Sequence, residues 1–219
     1  MSKTLPKNIA VFPLSGALLL PKGHLPLNVF EPRYLNMIDD ALQENRMIGM
    51  IQPRADEVRG EKEAPALYGV GCLGKITSFH ETEDGRYMIS LTGITRFKCT
   101  KETECARGYR RMDIDTEYYK DDLDEQNKID ECNNLDWTFL YKKLDYYFKR
   151  HDLDCDVEVF DEAPKSRLLT ILSMICPFEP SEKQALLEAD CMAERLKLFT
   201  KIINIAVQCD EDGSHSTCH

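Results

Sequence analysis

Long apolar runs are missing from this 219-residue sequence. No stretch approaches the roughly 18 consecutive apolar residues of a membrane span, and the opening Met-Ser-Lys-Thr-Leu-Pro-Lys leads into no signal-type apolar core. The expectation is a cytoplasmic protein with no membrane partner. Basic charge is also in deficit: 28 Lys and Arg stand against 38 Asp and Glu, a formal net charge of -10. Such a chain repels polyanions unless its cations cluster, so nucleic acid is not an expected partner. Paired cysteine motifs are absent as well. The nine cysteines are odd in number, lie between Cys72 and Cys218 and include no C-x-x-C, which excludes a regular disulfide scaffold and reads as reduced thiols.

With 42% hydrophobic residues the chain can bury about 70% of its unfolded surface. From about residue 8 to 118 the text is strand-like, in short β-branched and aromatic runs broken by Pro and Gly: N-I-A-V-F-P, L-P-L-N-V-F, M-I-G-M-I-Q-P, Y-M-I-S-L-T-G and R-R-M-D-I-D-T. One helix interrupts them, where Leu35, Ile38, Ala41 and Leu42 recur at helical spacing behind Pro32. The acidic run from 118 to 128 reads as a solvated connector. It divides a β-rich lobe, 1–120, from a helical bundle, 121–207, with a polar disordered tail at 208–219. In the bundle, Leu135, Phe139, Leu140, Leu144, Tyr147 and Phe148 form one apolar stripe, and Leu168, Leu169, Leu172 and Ile175 a second. Ser181 with Gln184 predicts a capping box. Asp190 is a candidate cap for a last helix carrying Met192, Leu196, Phe199, Ile202 and Ile203.

Residues 68 to 77, Y-G-V-G-C-L-G-K-I-T, overlap two phosphate-binding signatures through Gly69, Gly71, Gly74 and Lys75. Chemistry argues against both. Ile76 stands where a magnesium-holding Ser or Thr belongs, and no helix follows to aim its N-terminus at an anion. Asp84-Gly85 instead predicts a two-residue hairpin turn, with Glu83 opposite Arg86, Thr82 opposite Tyr87, His80 opposite Ile89 and Ser78 opposite Leu91. That register puts Ile76, Ser78, His80, Tyr87, Ile89 and Leu91 on one face, with His80 partly buried. The glycines then mark a bulge or a close backbone approach.

Three segments in order carry a resemblance. A-V-F-P-L-S-G-A-L-L-L-P-K-G-H-L-P-L-N-V-F-E-P-R-Y, residues 10 to 34, resembles the opening of the N-terminal substrate-binding domain of the Lon protease family. Residues 84 to 97, from D-G-R-Y to L-T-G-I-T-R-F, are similar to its central hairpin and G-x-x-R-F turn. P-F-E-P-S-E-K-Q-A-L-L-E, residues 177 to 188, is similar to its closing helical element. The resemblance implies an α+β fold, a PUA-like β lobe followed by a helical bundle. It also implies a non-catalytic module that recognises unfolded or partly folded polypeptide, working with a protease or chaperone as an adaptor or chaperone-like binder. The family's ATPase and Ser-Lys proteolytic modules have no counterpart in these residues, so any peptidase label would describe ancestry.

The signature residues Glu31, Pro32, Arg33, Tyr34, Gly85, Arg86, Gly93, Arg96 and Phe97 read as structural. Glu31 lies at the positive end of a helix, Arg33 can pair with an acid, and no nucleophile and base accompany them. Leu18, Leu19 and Leu20 with His24 are the candidate polypeptide contacts if the leucines are exposed; otherwise they form a core strand. The competing reading is a hydrolase using Cys72, Cys99 or a serine with His24 or His80, and a third is RNA binding through the β lobe. Cys209, His215, Cys218 and His219 fit no zinc spacing, and no cofactor or metal is expected.

Overall fold

The computed structural model describes residues 5–54, 65–103, 107–124, 137–151 and 164–211. Six strands form one sheet: β1 Asn8–Pro13, β2 His24–Val29, β3 Met47–Ile51, β4 Val70–Glu81, β5 Tyr87–Thr103 and β6 Arg110–Asp115. The strand order is β2-β5-β4-β3-β1-β6, and β6 also pairs with β5. The 17-residue β5 makes this closure possible, because its first half pairs with β2 and its second with β6. Five strands thus close into a barrel and β2 remains as the edge. β1 and β3 run parallel and are linked through β2 and α1, Pro32–Gln43. Each quoted strand-like run coincides with a strand, and the glycine-rich run lies in β4.

Alternation along the strands separates two cores. Ile9, Val11, Ile51, Leu73, Phe97, Met112 and Ile114 pack together from all five barrel strands. Gly71 faces Phe97 across the β4–β5 ladder, and a Cβ there would come within 2.5 Å of the ring. The barrel interior therefore has a glycine seat for its largest side chain, and the close backbone approach expected of these glycines is met by the Met50 carbonyl, 2.6 Å from the same Cβ position. The intervening residues Ala10, Phe12, Ile48, Met50 and Cys72 join a second cluster with α1 and the helices α2 Trp137–Arg150, α3 Lys165–Ile175, α4 Pro180–Glu188 and α5 Met192–Glu211. Leu140, Leu144, Tyr147 and Phe148 belong to that cluster, as do Leu196, Phe199, Ile202 and Ile203.

Several expectations are corrected. The hairpin closes one residue earlier than a two-residue turn requires. Thr82 N–H donates to the Arg86 carbonyl at 2.9 Å, leaving a three-residue loop with Gly85 at φ 77. Arg86 pairs with Asp84 at 2.7 Å, and Glu81 faces Tyr87. The same register puts Phe79 opposite Ile89, and His80 opposite Met88, exposed, until a bulge between Ile76 and Ser78 shifts it so that Ile76 faces Leu91. An inserted residue reverses which side chains face inward, and no alternation pattern signals it. The G-x-x-R-F segment is the middle of β5 and not a turn. The connector is docked at Tyr119 and Asp122, 5% and 3% exposed, in a 3-10 turn over Glu117–Leu123. Its residues 125–128, like Leu135, lie outside the described residues.

Helix α4 begins at Pro180, and the Glu179 N–H donates to the Glu182 carboxylate at 3.0 Å. Pro180 is preset for a first turn, so the cap moves two residues ahead of Ser181. Asp190 caps nothing: it accepts a 3.1 Å hydrogen bond from the Tyr118 hydroxyl, and α5 starts at Met192 and continues to Glu211, past the expected start of the tail. Residues 212–219 lie outside the described residues.

Candidate functional site

The signature arginine Arg96 is 4% exposed and locks the two halves together. Its Nε and Nη2 donate to the two Asp122 carboxylate oxygens at 2.9 and 3.0 Å, and Nη1 donates to the Leu187 carbonyl at 3.1 Å and to the Ala189 carbonyl. A planar guanidinium suits this task, because it meets a carboxylate with two parallel bonds and still reaches the open carbonyls of a helix C-terminus. The Tyr119 ring lies under it at 4.2 Å. Two further ties span the junction: Gln52 Nε2 donates to the Pro180 carbonyl at 2.9 Å, and Lys183 Nζ to the Gly16 carbonyl at 2.7 Å.

Above that lock lies a groove of about 540 Å³. Its lining combines Pro21, Lys22, Gly23 and His24 from the segment entering β2 with Arg167, Thr170, Ile171, Met174 and Ile175 from α3, and Met192 and Arg195 from α5. Ile171 and Ile175 are 42% and 49% exposed, so the second stripe of the sequence reading splits: Leu168, Leu169 and Leu172 go to the core and Ile175 to the groove. Asp122 lines the groove but is spent on Arg96. Lys22 and Arg167 are exposed, with no carboxylate partner for either side chain among the described residues.

Leu18, Leu19 and Leu20 are at most 2% exposed and pack in the core, without forming a strand. They are not surface contacts. The Leu20 carbonyl passes over Gly93, where a Cβ would sit 2.0 Å away, while Lys22 N–H donates to the Gly93 carbonyl at 2.9 Å. Gly93 thereby lets this segment cross the sheet and present Lys22 and His24 to the groove. His24 is exposed on β2, its Nδ1 3.1 Å from the Thr92 hydroxyl.

Glu31 sits at the start of α1 without a side-chain cap bond and instead accepts from Arg33 at 2.8 Å. Arg33 in turn covers the Tyr34 ring at 4.6 Å, and Tyr34 packs on Phe12. Arg33 and Tyr34, with Tyr109 and Arg110, border a separate small cleft of about 140 Å³, and none of Glu31, Arg33 and Tyr34 lines the groove.

Among the described residues, neither Cys72 nor Cys99 is hydrogen-bonded to His24 or His80. Cys72 is completely buried and burial pushes its thiol well above the ordinary range, while Cys99 is pushed up to about 11, again mainly by burial. A nucleophilic thiol needs the opposite shift. Among the described residues no histidine ring is hydrogen-bonded to a cysteine or serine side chain.

Sequence reasoning missed Lys22, Arg167, Ile171, Met174 and Met192. A signal existed: R-L-L-T-I-L-S-M-I is apolar around most of the helix, more than one buried face needs.

The family model for the ATP-dependent protease La (LON) substrate-binding domain matches residues 8–204. Lon protease 2 of Myxococcus xanthus is 23% identical over 91% of the chain, and Lon protease 1 of Bacillus subtilis 24% identical over 93%. The chain spans 24% and 26% of those proteases' lengths. Two solved structures share the fold. The Lon N-terminal domain protein from Xanthomonas campestris has a TM-score of 0.59 at 21% identity, covering 88% of this chain and 96% of that one. The N-terminal domain of the Mycobacterium avium complex Lon protease has a TM-score of 0.61 at 16% identity, covering 90% and 98%. With that match running from β1 into α5, the chain belongs to the LON substrate-binding domain family.

Proposed function

We propose that the protein recognises unfolded or partly folded polypeptide, without catalysis, through the groove between the Pro21–His24 segment and α3. The observation that carries this is a concave, largely apolar surface at which Ile171 and Ile175 stay exposed while their α3 neighbours Leu168, Leu169, Thr170, Leu172 and Ser173 are buried. Methionines suit such a surface, because Met174 and Met192 can reshape around different side chains. An added strand on β2 is the weaker alternative, since Pro26 in that edge strand has no N–H to offer. His24 remains a proposed contact; the three leucines do not. The cytoplasm is the proposed compartment, and a protease or chaperone that receives the bound chain the proposed partner.

The test is fluorescence anisotropy with labelled apolar-rich peptides. Binding by the intact protein, lost in Ile171→Asp and Ile175→Asp variants whose circular dichroism is unchanged, is the expected result. Equal binding by those variants would remove the groove from the proposal, and no binding at all by the folded protein would end it.

A further inference from the structure

The groove has a chemical bias that a purely apolar recognition surface would lack. Its two exposed cations, Lys22 from the segment entering β2 and Arg167 from α3, both line it, and neither side chain has a carboxylate partner among the described residues. The one acidic group in the described lining, Asp122, is 3% exposed and bonded to Arg96 through both oxygens. Some surface cations are matched, Arg33 with Glu31, Arg86 with Asp84, Arg110 with Glu102 and Lys149 with Asp145, while exposed Lys101, Lys142, Lys197 and Lys201 are also without a carboxylate partner among the described residues; what sets Lys22 and Arg167 apart is that both line one groove with exposed apolar side chains. A protein of net charge -10 has an excess of carboxylates to pair with, yet leaves these two cations facing a cavity.

We infer that the groove selects polypeptide segments in which apolar side chains are flanked by Asp or Glu. This rests on the polypeptide reading above and names its substrate class. An apolar side chain of the bound segment seats against Ile171, Met174 and Ile175, and carboxylates on either side meet Lys22 and Arg167. The attraction acts only at short range, because salt screens it beyond about 8 Å at physiological ionic strength and the acidic body of the protein opposes it farther out. Acidic flanks therefore strengthen binding already made by apolar contact and do not replace it. The expected gain is about fivefold over neutral flanks, the scale of one or two partly exposed ion pairs.

Three labelled peptides with one apolar core and Glu, Gln or Lys flanks provide the test, titrated at low and high salt against the wild type, the Lys22→Gln/Arg167→Gln double variant and Ile171→Asp. The inference expects the Glu peptide to bind best and the Lys peptide worst, the difference to shrink at high salt, and the double variant to bind all three as the wild type binds the Gln peptide. Equal binding of the three peptides by the wild type would overturn it while leaving polypeptide recognition standing. An acidic preference that survives in the double variant would overturn the assignment to these two cations. Failure of every peptide to bind would remove both readings. A wild-type dimer in sedimentation velocity that Ile171→Asp dissolves would give the groove to a second copy and overturn the inference as well.

Discussion

Arg96 shows how much one residue can decide. It is buried with Asp122, so replacing it by Met leaves a carboxylate that is only 3% exposed without its cation. The expected cost is about 3–5 kcal/mol, the usual penalty for breaking a buried pair from one side. The double variant Arg96→Met/Asp122→Leu removes both charges and should recover much of that loss in urea unfolding; a double variant no more stable than Arg96→Met would show that the carbonyl bonds to α4 matter more than the charge. Gly93→Ala is a harsher change. Its Cβ would strike the Leu20 carbonyl, a backbone atom that cannot swing away, so about 3 kcal/mol or more of stability should be lost. A near-neutral effect on the thermal midpoint would contradict the close crossing of the Leu20 segment. Such positions were only half legible: G-x-x-R-F marked both residues, but no spacing rule says which backbone will cross above a glycine.

At the scale of elements, α4 is tied to the loop before β2 by a buried lysine. Lys183 Nζ donates to the Gly16 carbonyl, and desolvation lowers its pKa from 10.5. The folded state thus releases this proton at a lower pH than the unfolded chain does. Between the lowered native pKa and 10.5 the unfolded state binds more protons, so this group's contribution to stability rises with pH across that window. Lys183→Met should therefore compare least favourably with the wild type near the top of the window, as measured by the difference in urea midpoints from pH 8 upward. A difference independent of pH would contradict the buried, desolvated cation. Helix α3 shows why elements outrun their patterns. Its Leu168, Leu169 and Leu172 were legible as a core stripe, whereas Ile171, Met174 and Ile175 needed the neighbouring wall to be recognised as a groove.

For the whole molecule, one cluster of buried side chains runs from the outer face of the barrel through α1 into α2, α3, α4 and α5. The β lobe and the helices should consequently unfold as one unit, despite the division that the acidic connector suggested. Trp137, the single tryptophan, is 7% exposed on α2, and Cys72 is fully buried on β4. Fluorescence of the first and denaturant-dependent thiol labelling of the second report the two halves separately. Coincident transitions are expected; a Cys72 transition displaced from that of Trp137 would mean that the shared core does not couple them.

Sequence alone determined the strand and helix inventory, the reading of the glycine-rich run as extended backbone and the family signatures, because periodicity, turn residues and steric tolerance are local properties. Tertiary structure alone decided the hairpin register, the burial of Leu18 to Leu20, the docking of Asp122 and the presence of Lys22 and Arg167 in the lining of one groove. Each of those depends on which distant surfaces meet, and burial or exposure is a property of the meeting and not of the residue.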